Sequence, residues 1–228
     1  MREIELATDG TRRLAAYAAD PAAGRAPGIL MLHDMFGTTP PFHALAEDYV
    51  RRGHPVLMPN QFWRAANDGV ISYETGHAEA GARLSAFDFD RSVDGMRLAI
   101  AELRRSPRCN GKVLALGFCF SGLLAFLAAA RTDVDAAAGL YSLGIARYGG
   151  EVARIACPLQ LHYGLADEHV PRSEVDAVAA AVAGRANIEL YRYEGAGHSF
   201  FNPVRPTYHA AATALAARRI DALLARIA

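Results

Sequence analysis

The chain has 228 residues, 52% of them hydrophobic and 21% charged, with 24 basic side chains balancing 24 acidic ones. That composition excludes a disordered chain, and it leaves neither a basic footprint for nucleic acid nor a polybasic patch for a membrane surface. The opening MREIELATDG carries charges where a secretory leader needs an apolar run, and the longest apolar run, Leu123 to Ala130, is far too short to cross a bilayer. Cys109, Cys119 and Cys157 are odd in number and unrelated in spacing, which fits neither a disulfide framework nor a zinc site. The expectation is a cytoplasmic protein without metal or cofactor.

In chain order, REIELATDGTRRLAAYAA is a pair of alternating runs around Asp9-Gly10, a hairpin signal. GILMLH (28–33) is a continuous apolar run, as in a strand buried on both faces, and FHALAEDYVRRG has helical spacing closed by Gly53. HPVLMP (54–59) predicts a strand, and residues 60–85 a long mixed connection that serves as a lid or a substrate wall. FDFDRSVDGMRLAIAELRRSP predicts a helix stopped by Pro107. Then KVLALGF is a strand, SGLLAFLAAAR a helix, VDAAAGLYS a strand and PLQLHYG a strand. SEVDAVAAAVAG is a helix, IELYRYEG the last strand, and Thr207 to Ile227 an alanine-rich helix. Strands alternating with helices imply a mostly parallel sheet, and no repeat or linker interrupts the series. One α/β domain is expected over residues 1–228.

The stretch LALGFCFSGLLAFLAAA puts a cysteine on a tight strand-to-helix turn. A nucleophile on such an elbow needs small residues two before and two after it, because the backbone folds closely on itself there. Cys119 has Gly117 and Ser121 in those places, whereas Ser121 has Cys119 and Leu123. A leucine does not fit, so the thiol is the presented group and the serine its small flank. Cys119 also sits at a helix N-terminus, where the dipole favours a thiolate. Cys109 and Cys157 read as buried small hydrophobes.

A thiol nucleophile needs a base, and the base an orienting acid, in the chain order nucleophile, acid, histidine. LHYGLADEHVP puts Asp167 just past a strand end, and YEGAGHSFFN puts His198 in a glycine-rich loop after the last strand. Both lie at carboxyl ends of strands, where open α/β sheets keep their sites. Glu168 and His169 share the Asp167 loop. His162 lies inside an apolar strand as a core residue, and His43, His54 and His209 read as surface or packing histidines.

The segments LHDMFG (32–37), GKVLALGFCFSG (111–122), HYGLADEHVP (162–171) and YEGAGHSF (193–200) together resemble the dienelactone hydrolase family, the cysteine-dependent branch of the α/β hydrolases. The resemblance covers nearly the whole chain. It implies an α/β-hydrolase fold, with a mostly parallel central sheet and helices on both faces. It implies hydrolysis of activated carboxylic esters or lactones, of the dienelactone or carboxymethylenebutenolide kind, through a Cys119-His198-Asp167 triad and an acyl-enzyme. The backbone amides of Phe120 and Met35 then form the oxyanion hole, in agreement with the fold rule. The partner implied is a small-molecule substrate, with the chain as monomer or homodimer.

Two departures stand out. The family's glutamate, which modulates the thiol, is Asp34 here, one methylene shorter; a turn-capping role before Gly37 is the alternative. The family's two substrate-binding arginines fall at His77 and Asn202, and neither is an arginine. Arg64 and Arg83, in the long connection, are the available substitutes. A thiolate attacks activated acyl carbons readily but leaves a tetrahedral intermediate more easily than an alkoxide does, so the site suits esters and lactones with good leaving groups. Phe36, Phe62, Trp63, Phe120, Phe200 and Phe201 are expected to give the cleft an apolar, aromatic lining. Competing readings are a thiol redox sensor or a non-catalytic binding module on the same fold, a metal site from His33, Asp34 and His198, and a serine hydrolase using Ser121. Reversible oxidation without turnover, loss of activity with chelator and loss with Ser121→Ala would mark these in turn.

Overall fold

The computed structural model describes residues 1–228. They form two compact units, Met1–Val113 and Leu114–Ala228.

In the first unit, β1 (Arg2–Thr8) and β2 (Arg13–Ala19) form the expected hairpin, with a register shift between Glu5 and Ala7. The Asp9 carboxylate accepts the N–H groups of Thr11 and Arg12, and Gly10 takes φ 91°. Those bonds hold the Asp9 carboxyl below its usual range. β3 (Ala26–Leu32) pairs in parallel with β4 (Val56–Pro59), and β4 pairs antiparallel with β2, giving the order β1-β2-β4-β3. Between β3 and β4 runs α1 (Pro40–Arg51), started by proline in its first turn and followed by Gly53 at φ 95°.

The long connection is not without structure. A helix, α2 (His77–Ser85), forms inside it before α3 (Phe89–Arg105) begins. Its alanines and glycine give little apolar periodicity, so the sequence pattern passes over it. Asp88 caps α3 by accepting from the Arg91 N–H, and the buried stripe Val93, Met96, Ile100, Leu103 has helical spacing. A Cβ on Gly28 of β3 would lie 2.6 Å from Leu103 Cγ, so that glycine lets α3 lie close on the strand.

The second unit takes up the chain within β5 (Cys109–Phe118). It continues through α4 (Phe120–Arg131), β6 (Ala136–Leu140), a short 3-10 segment at Ile145–Arg154, β7 (Leu159–Gly164), α5 (Arg172–Val182), β8 (Ile188–Tyr193) and α6 (Ala210–Ile227). β5, β6, β7 and β8 pair in parallel in that order. The 3-10 segment has no signal in the sequence reading. His209 is the N-cap of α6, its Nδ1 accepting from the Ala212 N–H. No helix is long and apolar enough to cross a membrane. The fold is of the α/β-hydrolase class, as the sequence pattern indicates.

Candidate active site

β5 ends in the turn that carries Cys119, whose backbone takes φ 60° and ψ −128°. That conformation is costly for a side chain and persists only where its surroundings impose it. Two contacts impose it here. The Cys119 N–H donates to Leu140 O at 3.1 Å, and the Gly122 N–H donates to Cys119 O at 2.9 Å. The flanks behave as the small-residue rule requires: a Cβ on Gly117 would lie 1.9 Å from Ser121 O, and Ser121 is fully buried. Gly117→Ala is therefore expected to destabilise the fold by about 3 kcal/mol or more, since the clash is with backbone. A thermal melt checks this; an unchanged melting temperature would mean that the turn has room the geometry denies.

Asp167 and His198 come to Cys119 from the ends of β7 and β8. The Asp167 Oδ1 accepts the N–H groups of His169 and Val170 at 2.8 and 3.0 Å, which fixes the carboxylate in its own loop. Its Oδ2 lies 2.8 Å from His198 Nδ1, and His198 Nε2 lies 3.2 Å from Cys119 Sγ. The acid and base loops are tied together by Ala166 N–H to Ala196 O at 2.9 Å, and Thr207 Oγ1 donates to the His198 carbonyl. The Asp167 side chain has no exposed surface and that of His198 has 12%. Burial by itself would lower the His198 pKa. The charge on the Cys119 sulfur and the hydrogen bonds to Asp167 and Cys119 outweigh it and raise the value to about 10. A sulfur, an imidazole and a buried carboxylate thus stand in line, the arrangement that nucleophilic catalysis by a thiol requires.

In the first unit, the 33–37 loop is held by side chains. His33 Nε2 accepts from the Gln61 N–H at 3.1 Å, so its proton sits on Nδ1, 2.8 Å from Asp34 O. Burial lowers the His33 pKa to about 4, and the ring is neutral. The Asp34 carboxylate accepts from the Phe36 N–H at 2.9 Å and from Tyr73 OH at 3.0 Å. This is the turn-capping arrangement. Arg83, only 8% exposed, donates to Met35 O at 2.6 Å, Gly69 O at 2.7 Å and Asn67 O at 3.2 Å. Tyr73 and Arg83 lie in a stretch without periodicity, and only their polar groups amid small residues hint at these roles.

The expected lining residues are scattered. Phe62 and Trp63 border a cavity of about 590 Å³ in the first unit, shared with Phe87, Arg64, Arg83 and Arg91. Arg64 lies 3.8 Å over the Trp63 ring and Arg83 4.0 Å over Phe62. Phe36 packs with Ile71 and Ala80, and His77, at the start of α2, meets its ring at 5.0 Å. Phe120 is the first residue of α4 and is buried. Phe201 meets Phe118 at 5.8 Å. The expectation for Phe200 is corrected: its ring has no exposed surface and packs between Tyr141 and Tyr193 as core. Asn202 is buried, and its Oδ1 accepts the Val204 N–H at 3.2 Å, bracing a turn.

Residues 14–228 match the model of the dienelactone hydrolase family. Over 226 residues the chain is 29% identical to carboxymethylenebutenolidase 1 of Cupriavidus pinatubonensis, covering 98% of this chain and 96% of the relative. It is 31% identical over 211 residues to the carboxymethylenebutenolidase of Pseudomonas putida, covering 91% and 89%. Among solved structures, a dienelactone hydrolase-like promiscuous phosphotriesterase from metagenomic libraries superposes with TM-score 0.76 at 20% identity, covering 99% and 97% of the two chains. That likeness concerns the fold; the family match and the relatives concern the chemistry. The chain belongs to the dienelactone hydrolase family and is a hydrolase of carboxylic esters or lactones on the α/β-hydrolase fold.

Proposed function

We propose that this protein hydrolyses activated carboxylic esters and lactones through an acyl-enzyme on Cys119. The observation that carries the reading is the unbroken relay from Asp167 through His198 to the Cys119 sulfur, at 2.8 and 3.2 Å. The thiolate attacks the acyl carbon, and His198 gives its Nε2 proton to the departing oxygen. The neutral imidazole then takes a proton from water, whose oxygen attacks the thioester, and the thiolate leaves again. Asp167 keeps the imidazole in the tautomer and orientation both halves need. By family position the amides of Phe120 and Met35 are the oxyanion donors. Asp34 takes the loop-shaping role, an assignment supported by its bonds to Phe36 and Tyr73. The unbroken family match over 14–228 supports reading the chain as one domain.

The carboxymethylenebutenolidase relatives support a lactone as the substrate class. The charge preference is a separate matter. Both terminal nitrogens of Arg83 are already engaged by three backbone carbonyls, so this guanidinium is a poor replacement for the family's carboxylate-binding arginines. A shielded arginine–carboxylate contact is worth roughly 1.5–3 kcal/mol, so losing two removes about two orders of magnitude of preference or more. Neutral aryl or enol esters are therefore expected to turn over at least as well as carboxylate-bearing lactones. Asn202→Arg is expected to move the balance back, mainly through KM. Two lactones matched in ring and leaving group, one free acid and one methyl ester, test this. A clear preference of the unmodified protein for the free acid would contradict it.

A further inference from the structure

One bulky residue beside the proposed base stands in a conformation that glycine normally holds. Tyr141 follows the last residue of β6 and takes φ 40°. For a ring-bearing side chain this is a true outlier, and such strain survives only where neighbouring structure over-determines it. The neighbours are the strands that carry the triad. The residue before it, Leu140, accepts the Cys119 N–H at 3.1 Å, and the Tyr141 N–H donates to His162 O on β7 at 2.7 Å. Its backbone is thus pinned between the nucleophile's turn and the strand leading to Asp167.

The left-handed backbone decides where the ring goes. Tyr141 is only 2% exposed, and its ring meets the His198 imidazole at 5.1 Å between centroids, 63° between planes. Phe200 lies 5.4 Å and Phe118 6.3 Å from the same ring, so the tyrosine is backed by core and cannot swing away. His169 meets the imidazole edge-on at 4.8 Å. The two hydrogen bonds of His198 run through its nitrogens, to Asp167 and Cys119. They leave rotation out of the ring plane to be resisted by packing.

We propose that Tyr141 is a positioning residue for His198: its strained backbone holds an aromatic wall against the imidazole, keeping Nε2 directed at Cys119 Sγ through both halves of the reaction. The proposal rests on the reading of His198 as the general acid and base. It acts through the packed face of the ring. Function gains from the strain, since a relaxed residue at this position would direct its side chain elsewhere.

The test compares Tyr141→Phe, Tyr141→Leu and Tyr141→Met on a neutral aryl ester, with Cys119→Ala as a control. Tyr141→Phe keeps the wall and is expected to stay within about twofold of the unmodified kcat. Tyr141→Leu is expected to lose about 10- to 100-fold in kcat with KM changed less than about twofold, because orientation and not binding is lost. Tyr141→Met fills a similar volume without a flat face and substitutes should the leucine variant not fold. Tyr141→Gly is expected to be at least as stable in denaturant as Tyr141→Ala, the reverse of the usual order, because only alanine keeps the φ penalty. A leucine or methionine variant with kcat within twofold of the unmodified protein overturns the proposal, as does a phenylalanine variant as slow as leucine. Retained turnover in Cys119→Ala would instead overturn the reading of the triad on which the proposal rests.

Discussion

Cys119→Ala is expected to lower ester turnover by roughly ten-thousand-fold or more, because removing a nucleophile that acts as one unit with its base costs nearly as much as removing the whole unit. Iodoacetamide should label Cys119 ahead of the other two thiols, for reasons that differ between them. Cys109 has no exposed surface, and its sulfur lies 3.4 Å from Lys112 O as a donor. Burial pushes the Cys157 thiol up to about 11, so little of it is thiolate near neutral pH. Cys119 has His198 Nε2 at 3.2 Å. Peptide mapping after brief alkylation reads the order of labelling, and turnover of the alanine variant reads the chemistry. Activity kept in Cys119→Ala and lost in Ser121→Ala would reverse the reading of the elbow.

His198→Ala is expected to cost about a thousand-fold or more in kcat, since the thiol then has no partner to take its proton and the leaving group no acid. Asp167→Asn should cost less than the alanine, perturbing the tautomer and orientation of an imidazole that is still present. The pH profile of kcat/KM adds a readout specific to this pair. His198 must carry its proton to release the leaving group, and its pKa in the free enzyme is raised to about 10. Activity is therefore expected to hold through neutral pH and to fall as pH rises through about 10. His198→Ala should abolish that alkaline limb. Equal, small losses in both variants would mean that the relay does not work as a unit.

The elbow is legible in the sequence because its requirement is steric and local. A Cβ at Gly117 would strike the Ser121 carbonyl, and Ser121 is a small side chain with no exposed surface, so two positions suffice to identify the turn. The approach of Asp167 and His198 to Cys119 is less local, yet strand ends in a parallel sheet collect at one edge, so chain order and loop position foretell it. The α/β class follows from the same alternation of strands and helices. What escapes the sequence is set by tertiary contact. α2 has no apolar stripe, and Phe200 looks like a pocket residue until Tyr141 and Tyr193 enclose it. Tyr141 carries no warning at all, because φ 40° goes with tertiary hydrogen bonds, its own N–H to His162 O and the Cys119 N–H to Leu140 O. The role of Arg83 is equally hidden, since its partners are backbone carbonyls of residues far from it in sequence.

The most direct measurement is the mass of the trapped intermediate. A slowly deacylating activated ester, mixed with the protein and quenched in acid during turnover, should add one acyl mass, and proteolysis should place it as a thioester on the peptide containing Cys119. In His198→Ala the adduct should form far more slowly, and in Cys119→Ala it should not form. An acyl group on Ser121, or steady turnover with no covalent adduct at any time, would contradict the account.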